Sequence, residues 1–170
     1  MDNRALIGLS ILMSLIASAR VAQLFIWPRL RDLSREEALN VLLAPHMFRF
    51  IGLSFLMPGV VSPALPQAFA LPTAYGDLAA TVLALAASLA LSARLSSAIA
   101  LVWLFNIVGF ADLLLAYYDG TIGVGLPPGS MGAAFYIPTV IVPPLLVTHV
   151  MMFRLLLGAK RAQRNSLPAS

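Results

Sequence analysis

Five long apolar stretches, separated by short polar or Pro/Gly-rich segments, organise this sequence. They predict helices at about 5–27, 35–61, 77–94, 97–118 and 132–157. Each runs roughly 20 residues, the length an α-helix needs to cross hydrocarbon and far more than a barrel strand uses. The first stretch stops at Trp27-Pro28-Arg29, an interfacial aromatic followed by a helix-ending proline. The linker Arg29–Glu37 is the most charged part of the chain, and Ser34 with Glu37 three residues later reads as a capping box opening the second helix. The prolines of Ser62–Gly76 predict a loop, so Asp77 reads as the N-cap of the third helix. Asp119–Met131 is a second Pro/Gly-rich loop. Pro138 and Pro143-Pro144 interrupt the fifth helix, Gly158 closes it, and a basic tail, 158–170, stays outside the membrane. Ala17-Ser18-Ala19 imitates a signal-peptide cleavage site, but the apolar run resumes to Trp27, which predicts a retained first helix.

Composition supports an all-α, polytopic membrane bundle forming a single integral membrane domain. Of 170 residues, 60% are hydrophobic and only 11% charged, against about a quarter in soluble domains. The formal charge of +4 sits in short flanks of the apolar runs, with no basic patch interleaved with aromatics, so nucleic acid is not an expected partner. Arg29, Arg31, Arg35, Arg94, Arg154, Lys160, Arg161 and Arg164 fall on one side and Arg4 on the other. Positive-inside topology then predicts an outer N-terminus and a cytoplasmic C-terminus in a bacterial-type inner membrane. Absence of cysteine excludes disulfides, thiolate metal sites and covalent c-type haem. Small residues recur every fourth position at Ser10, Ser14, Ser18, Ala22 and at Ala80, Ala84, Ser88, Ser92, ridges suited to close helix packing within the chain.

Against that background a few polar residues stand out, because ionisable groups in hydrocarbon cost about 2.5–3.5 kcal/mol at a helix centre. His46, His149, Arg20, Arg49 and Asn106 all fall inside predicted spans. Counting rise per residue from one end, they lie about 10–16 Å deep, in one slab to which four helices contribute. His46 and Arg49 are three apart and share a face. Asp112, well inside the fourth span, is the expected structural ion-pair partner of Arg49. Arg20 also has a simpler reading as a side chain that snorkels to the interface, as Arg94 and Arg154 should. Tyr75, Trp103 and Tyr136 read as belt or packing residues.

Three functions remain open on these residues. His46 and His149 would be axial ligands of a non-covalent haem b, with Arg20 or Arg49 on its propionates and Asn106 nearby, in an electron-transfer or sensing protein. Alternatively, two arginines against one buried acid leave the interior positive and favour an anionic or amphipathic, lipid-like ligand, with His46 or His149 as general acid or base if turnover occurs. The third reading is an accessory subunit of a larger membrane complex, or a homo-oligomer. No His-Glu-x-x-His pair, Gly-rich phosphate loop or serine elbow is present, so metal sites other than a haem iron are not expected.

Overall fold

The computed structural model describes the backbone of residues 3–165 and the side chains of residues 4–158. The side chains of Lys160, Arg161 and Arg164 in the predicted basic tail, and residues 166–170, lie outside the described set. The described residues are all-helical, with one isolated bridge, Pro58–Val61, and no strands. Five helices are long and apolar enough to cross a membrane: α1 (Arg4–Leu30), α2 (Arg35–Leu56), α3 (Gln67–Ser92), α4 (Ala98–Gly123) and α5 (Gly132–Gly158), the last continuing helically to Asn165.

Proline shapes most of them. In α1, Pro28 cannot donate to the Leu24 carbonyl, and the turn Ala22–Ile26 widens to a π-helix. In α2 the predicted capping box is formed: Ser34 Oγ accepts from Glu37 N–H, and the Glu37 carboxylate accepts from Ser34 N–H at 3.0 Å. Pro45 removes the donor that would reach Val41 O, Ala44 N–H takes that carbonyl instead, and the tighter i→i+3 pattern continues as a 3₁₀ helix over Ala44–Leu56. Thirteen residues is long for 3₁₀ geometry, which rarely persists beyond 3–4 residues.

Several predicted boundaries are corrected. α3 begins at Gln67, not Asp77, because Pro66 serves as its N-cap and Pro72 falls in its second turn, where a missing amide is tolerated. Asp77 is therefore mid-helix and buried, not an N-cap. α2 ends at Leu56 and not at 61. Part of the predicted second loop, Asp119–Gly123, is a π turn continuing α4. The two loops at that end are tied together: Ser62 N–H donates to Ser130 O at 3.0 Å and Ala133 N–H to Val60 O at 2.9 Å. Gly132 permits this contact, since its φ is +51° and a Cβ there would overlap the Val60 carbonyl.

Helices α2, α3, α4 and α5 close into a ring in which each touches its two neighbours, while α1 lies outside against α5. Of the predicted small-residue ridges, Ala22 of α1 and Ala80 and Ala84 of α3 are buried, Ser10, Ser14, Ser18 and Ser88 are partly buried, and Ser92 is exposed. Two apolar clusters fill the ring. One, toward the charged linker, includes Leu39, Leu42, Leu43, Ala84, Phe105 and Met152. The other, toward the Pro/Gly loops, includes Phe55, Phe69, Leu113, Ile137 and Leu145. Between these clusters fall buried polar residues of every ring helix: His46 and Arg49 of α2, Asp77 of α3, Asn106 of α4, and Thr148 and His149 of α5.

Candidate functional site

The polar layer starts from the 3₁₀ geometry of α2. With three residues per turn, positions three apart stack in one line, whereas an α-helix would spread them around its circumference. His46, Arg49, Gly52 and Phe55 are the buried residues of this segment, so all four point at the ring axis.

Arg49 is 1% exposed and wholly enclosed by neighbouring helices. Its Nε–H donates to Asp77 Oδ1 of α3 at 2.8 Å, and Nη2, also 2.8 Å from that oxygen, donates to Asp112 Oδ2 of α4 at 2.6 Å. Nη1 donates to the Gly109 carbonyl at 3.0 Å. These are the only two ion pairs among the described residues, and they share one guanidinium. Its planar fork suits two carboxylates at once, which a lysine ammonium would not.

Glycines make the approach feasible. A Cβ on Gly52 would overlap the Asp77 carboxylate, and one on Gly76 would overlap that of Asp112. A Cβ on Gly109 would lie 3.0 Å from Arg49 Nη1 and 3.2 Å from His149 Nε2, so this glycine is where the charge cluster meets the histidines.

His46 and His149 are fully buried, with ring centroids 4.3 Å apart. The network assigns their tautomers. Thr148 Oγ1 donates to the Leu145 carbonyl at 2.8 Å and so accepts from His46 Nε2–H at 2.9 Å. Asn106 donates Nδ2–H to the His149 carbonyl and accepts from His149 Nδ1–H at 2.7 Å. The other nitrogens, His46 Nδ1 and His149 Nε2, are buried acceptors without a hydrogen-bond partner. Phe105 stands 5.0 Å and 5.2 Å from the two rings and Phe110 5.8 Å from His149, so aromatic faces wall the pair.

The expected site residues thus divide. His46, His149, Arg49, Asn106 and Asp112 come together in one layer. Arg20 does not: it is exposed on α1 and bonded to Gln23 at 3.2 Å. The fourth helix of the slab is α3, through Asp77. Sequence reading missed Asp77 because three prolines upstream suggested a loop; its signal was a carboxylate beside Gly76 before the predominantly apolar run 78–91. Including Asp77 also changes the charge count: Arg49 against two carboxylates leaves the layer at −1 when both are ionised, not positive. Nε, Nη1 and Nη2 of Arg49 all donate to the chain's own oxygens rather than to an anion.

The haem expectation can be tested on the same geometry. A bis-imidazole haem needs a macrocycle-thick slab between the two rings, and rings in van der Waals contact leave none. The residues in this conformation do not fit that group. Among the described residues no cluster of three or more His, Asp or Glu side chains is arranged to hold a metal ion.

A helical ring around a buried acid–arginine–histidine layer, built from helices able to span a bilayer, defines the class of protein. The chain belongs to the family described as domain of unknown function DUF8737, which matches residues 6–157, all five helices. No curated protein and no solved structure matches it.

Proposed function

We propose that the chain is a multi-pass protein of a bacterial inner membrane, with its N-terminus outside and C-terminus cytoplasmic, whose polar layer binds and releases a proton. The observation that carries this reading is one arginine shared by two carboxylates between two apolar clusters. An uncompensated charge in a low-dielectric interior is costly, and one proton brings the cluster to neutrality. Asp112 is the residue to take it. Asp77 Oδ1 is approached by two nitrogens of Arg49, whereas Asp112 is approached by one and its side chain is 21% exposed against 7%.

Access is one-sided. Asp112, Asp77, Thr73 and Tyr117 border a cavity of about 30 Å³, room for a water that could carry a proton. On the other side Leu39, Leu42, Leu43 and Phe105 seal the layer from the charged linker. The lone pairs of His149 Nε2 and His46 Nδ1 provide further acceptors beyond Arg49. Release toward the linker therefore requires that seal to open, and the irregular 3₁₀ segment carrying His46 and Arg49 is the element able to rearrange.

Infrared difference spectroscopy between acidic and neutral buffer tests the proposal. A protonated-carboxylic-acid band is expected in the unsubstituted protein and lost in Asp112→Asn. Identical spectra from the two proteins would overturn it. The same preparation tests the haem reading: a Soret band abolished by His46→Ala would revive it, and a colourless sample agrees with the ring contact. An accessory-subunit reading draws on α1, whose outward face exposes Leu9, Leu12, Met13 and Ile16; native mass spectrometry would reveal a stable hetero-complex.

A further inference from the structure

At the linker end of α1, outside the ring of α2 to α5, lies a second constellation whose charged residues take no part in the proton site. A groove of about 440 Å³ runs between α1, α4 and α5, walled by apolar side chains such as Leu15, Phe110, Leu114 and Val150. Trp27 and Arg154 line its end, with Gln23 alongside. The Arg154 guanidinium stands 4.3 Å from the centroid of the Trp27 ring, and Arg31 stands 5.9 Å from the same ring.

Two like charges are thus gathered on one indole. Neither has a carboxylate at ion-pair distance among the described residues, where both ion pairs belong to Arg49. Trp27 Nε1–H adds a buried donor with no hydrogen-bond partner. Donors without acceptors, converging at the mouth of an apolar trough, describe a receptor for a negatively charged head with a hydrocarbon tail.

We infer that this groove is a binding site for an anionic glycerophospholipid. Its phosphodiester would accept from Arg154, Arg31 and Trp27 Nε1–H, and one acyl chain would lie along the groove between α1 and α5. A zwitterionic lipid would bring its own cation against two arginines and gain less. Interfacial basic side chains each favour anionic lipid, and the aromatic ring holds the arginine stems at headgroup depth. The anionic, lipid-like ligand expected from the sequence then belongs to the outer face of the ring helices and not to Arg49, whose Nε, Nη1 and Nη2 already bond to the protein.

The test uses full-length protein purified in mild detergent and offered equimolar phosphatidylglycerol and phosphatidylcholine with identical acyl chains, with retained lipid read by native mass spectrometry. Retention should favour phosphatidylglycerol by roughly tenfold. R154Q should bring the ratio near parity, and W27F, which keeps a ring but removes the N–H, should lower it part of the way. If R154Q does not yield folded protein, R31Q, at an exposed position, carries the same comparison. Free glycerol phosphate should not displace the lipid, because the groove contacts the chain as well as the head. Equal retention of the two lipids by the unsubstituted protein, an unchanged ratio in the folded arginine variants, or displacement by glycerol phosphate would overturn the inference.

Discussion

Arg20 of α1 and Arg49 of α2 are the same side chain in consecutive apolar helices, yet one lies on the outer surface and the other at the centre of the molecule. Arg20 turns outward and bonds to Gln23 one turn along its own helix. Arg49 is sealed by a carboxylate from each of two other helices. The difference extends to the helices that carry them: 6% of the apolar window of α1 is buried, against between 33 and 44% for α2 to α5. Hydropathy therefore identifies helices that prefer lipid, but it does not say which of them face one another. An arginine is held in the interior only where other helices bring opposite charge, and where glycines leave room for it.

Substitutions at the two arginines should separate these roles most strongly. Arg49→Met leaves two carboxylates facing each other without a cation and should destabilise the protein by about 3–5 kcal/mol, the usual cost of removing one partner from a buried ion pair. Arg20→Ala should change stability by less than about 0.5 kcal/mol. Thermal unfolding in detergent measures both, and equal losses would break the distinction. Adding Asp77→Asn and Asp112→Asn to Arg49→Met should recover most of the loss, because the charge imbalance disappears with its cause; no recovery would trace the damage to packing.

Glycine positions sharpen the contrast further. Gly52→Ala and Gly76→Ala should each cost about 1–3 kcal/mol, since the added methyl meets a carboxylate held in place by Arg49. Gly8→Ala in α1 meets nothing within 4 Å and should be neutral or stabilising by up to about 1 kcal/mol. Asn106→Ala, which strips the His149 Nδ1–H of its acceptor, should cost about 1–3 kcal/mol in the same assay.

A modest effect of opposite sign should come from the turn after α3. Arg94 adopts φ +53° there, its N–H donating to Leu91 O and that of Leu95 to Ala90 O, the paired bonds of a Schellman ending. Glycine is the residue suited to that conformation, so Arg94→Gly should stabilise by about 1 kcal/mol. A loss instead would mean that the side chain makes up for its backbone strain at this end of the bundle.

Much of the architecture was legible in the sequence. Five apolar runs and the Ser34–Glu37 cap are properties of neighbouring residues, and local physics sets them. The three-residue spacing of His46 and Arg49 likewise announced a shared face, and the 3₁₀ turn begun by Pro45 extends it to Gly52 and Phe55. Asp77 was not legible, because prolines at 63, 66 and 72 resemble a loop unless tertiary packing rewards an early helix start. Only the tertiary structure decided that Asp77 and Asp112 share one guanidinium, that the two imidazoles touch, and that Arg20 stays outside. Each outcome depends on how helices distant in sequence rotate and approach, and glycine contacts between helices set that approach. The same distant contacts set the sign of the interior charge, which turned on one carboxylate.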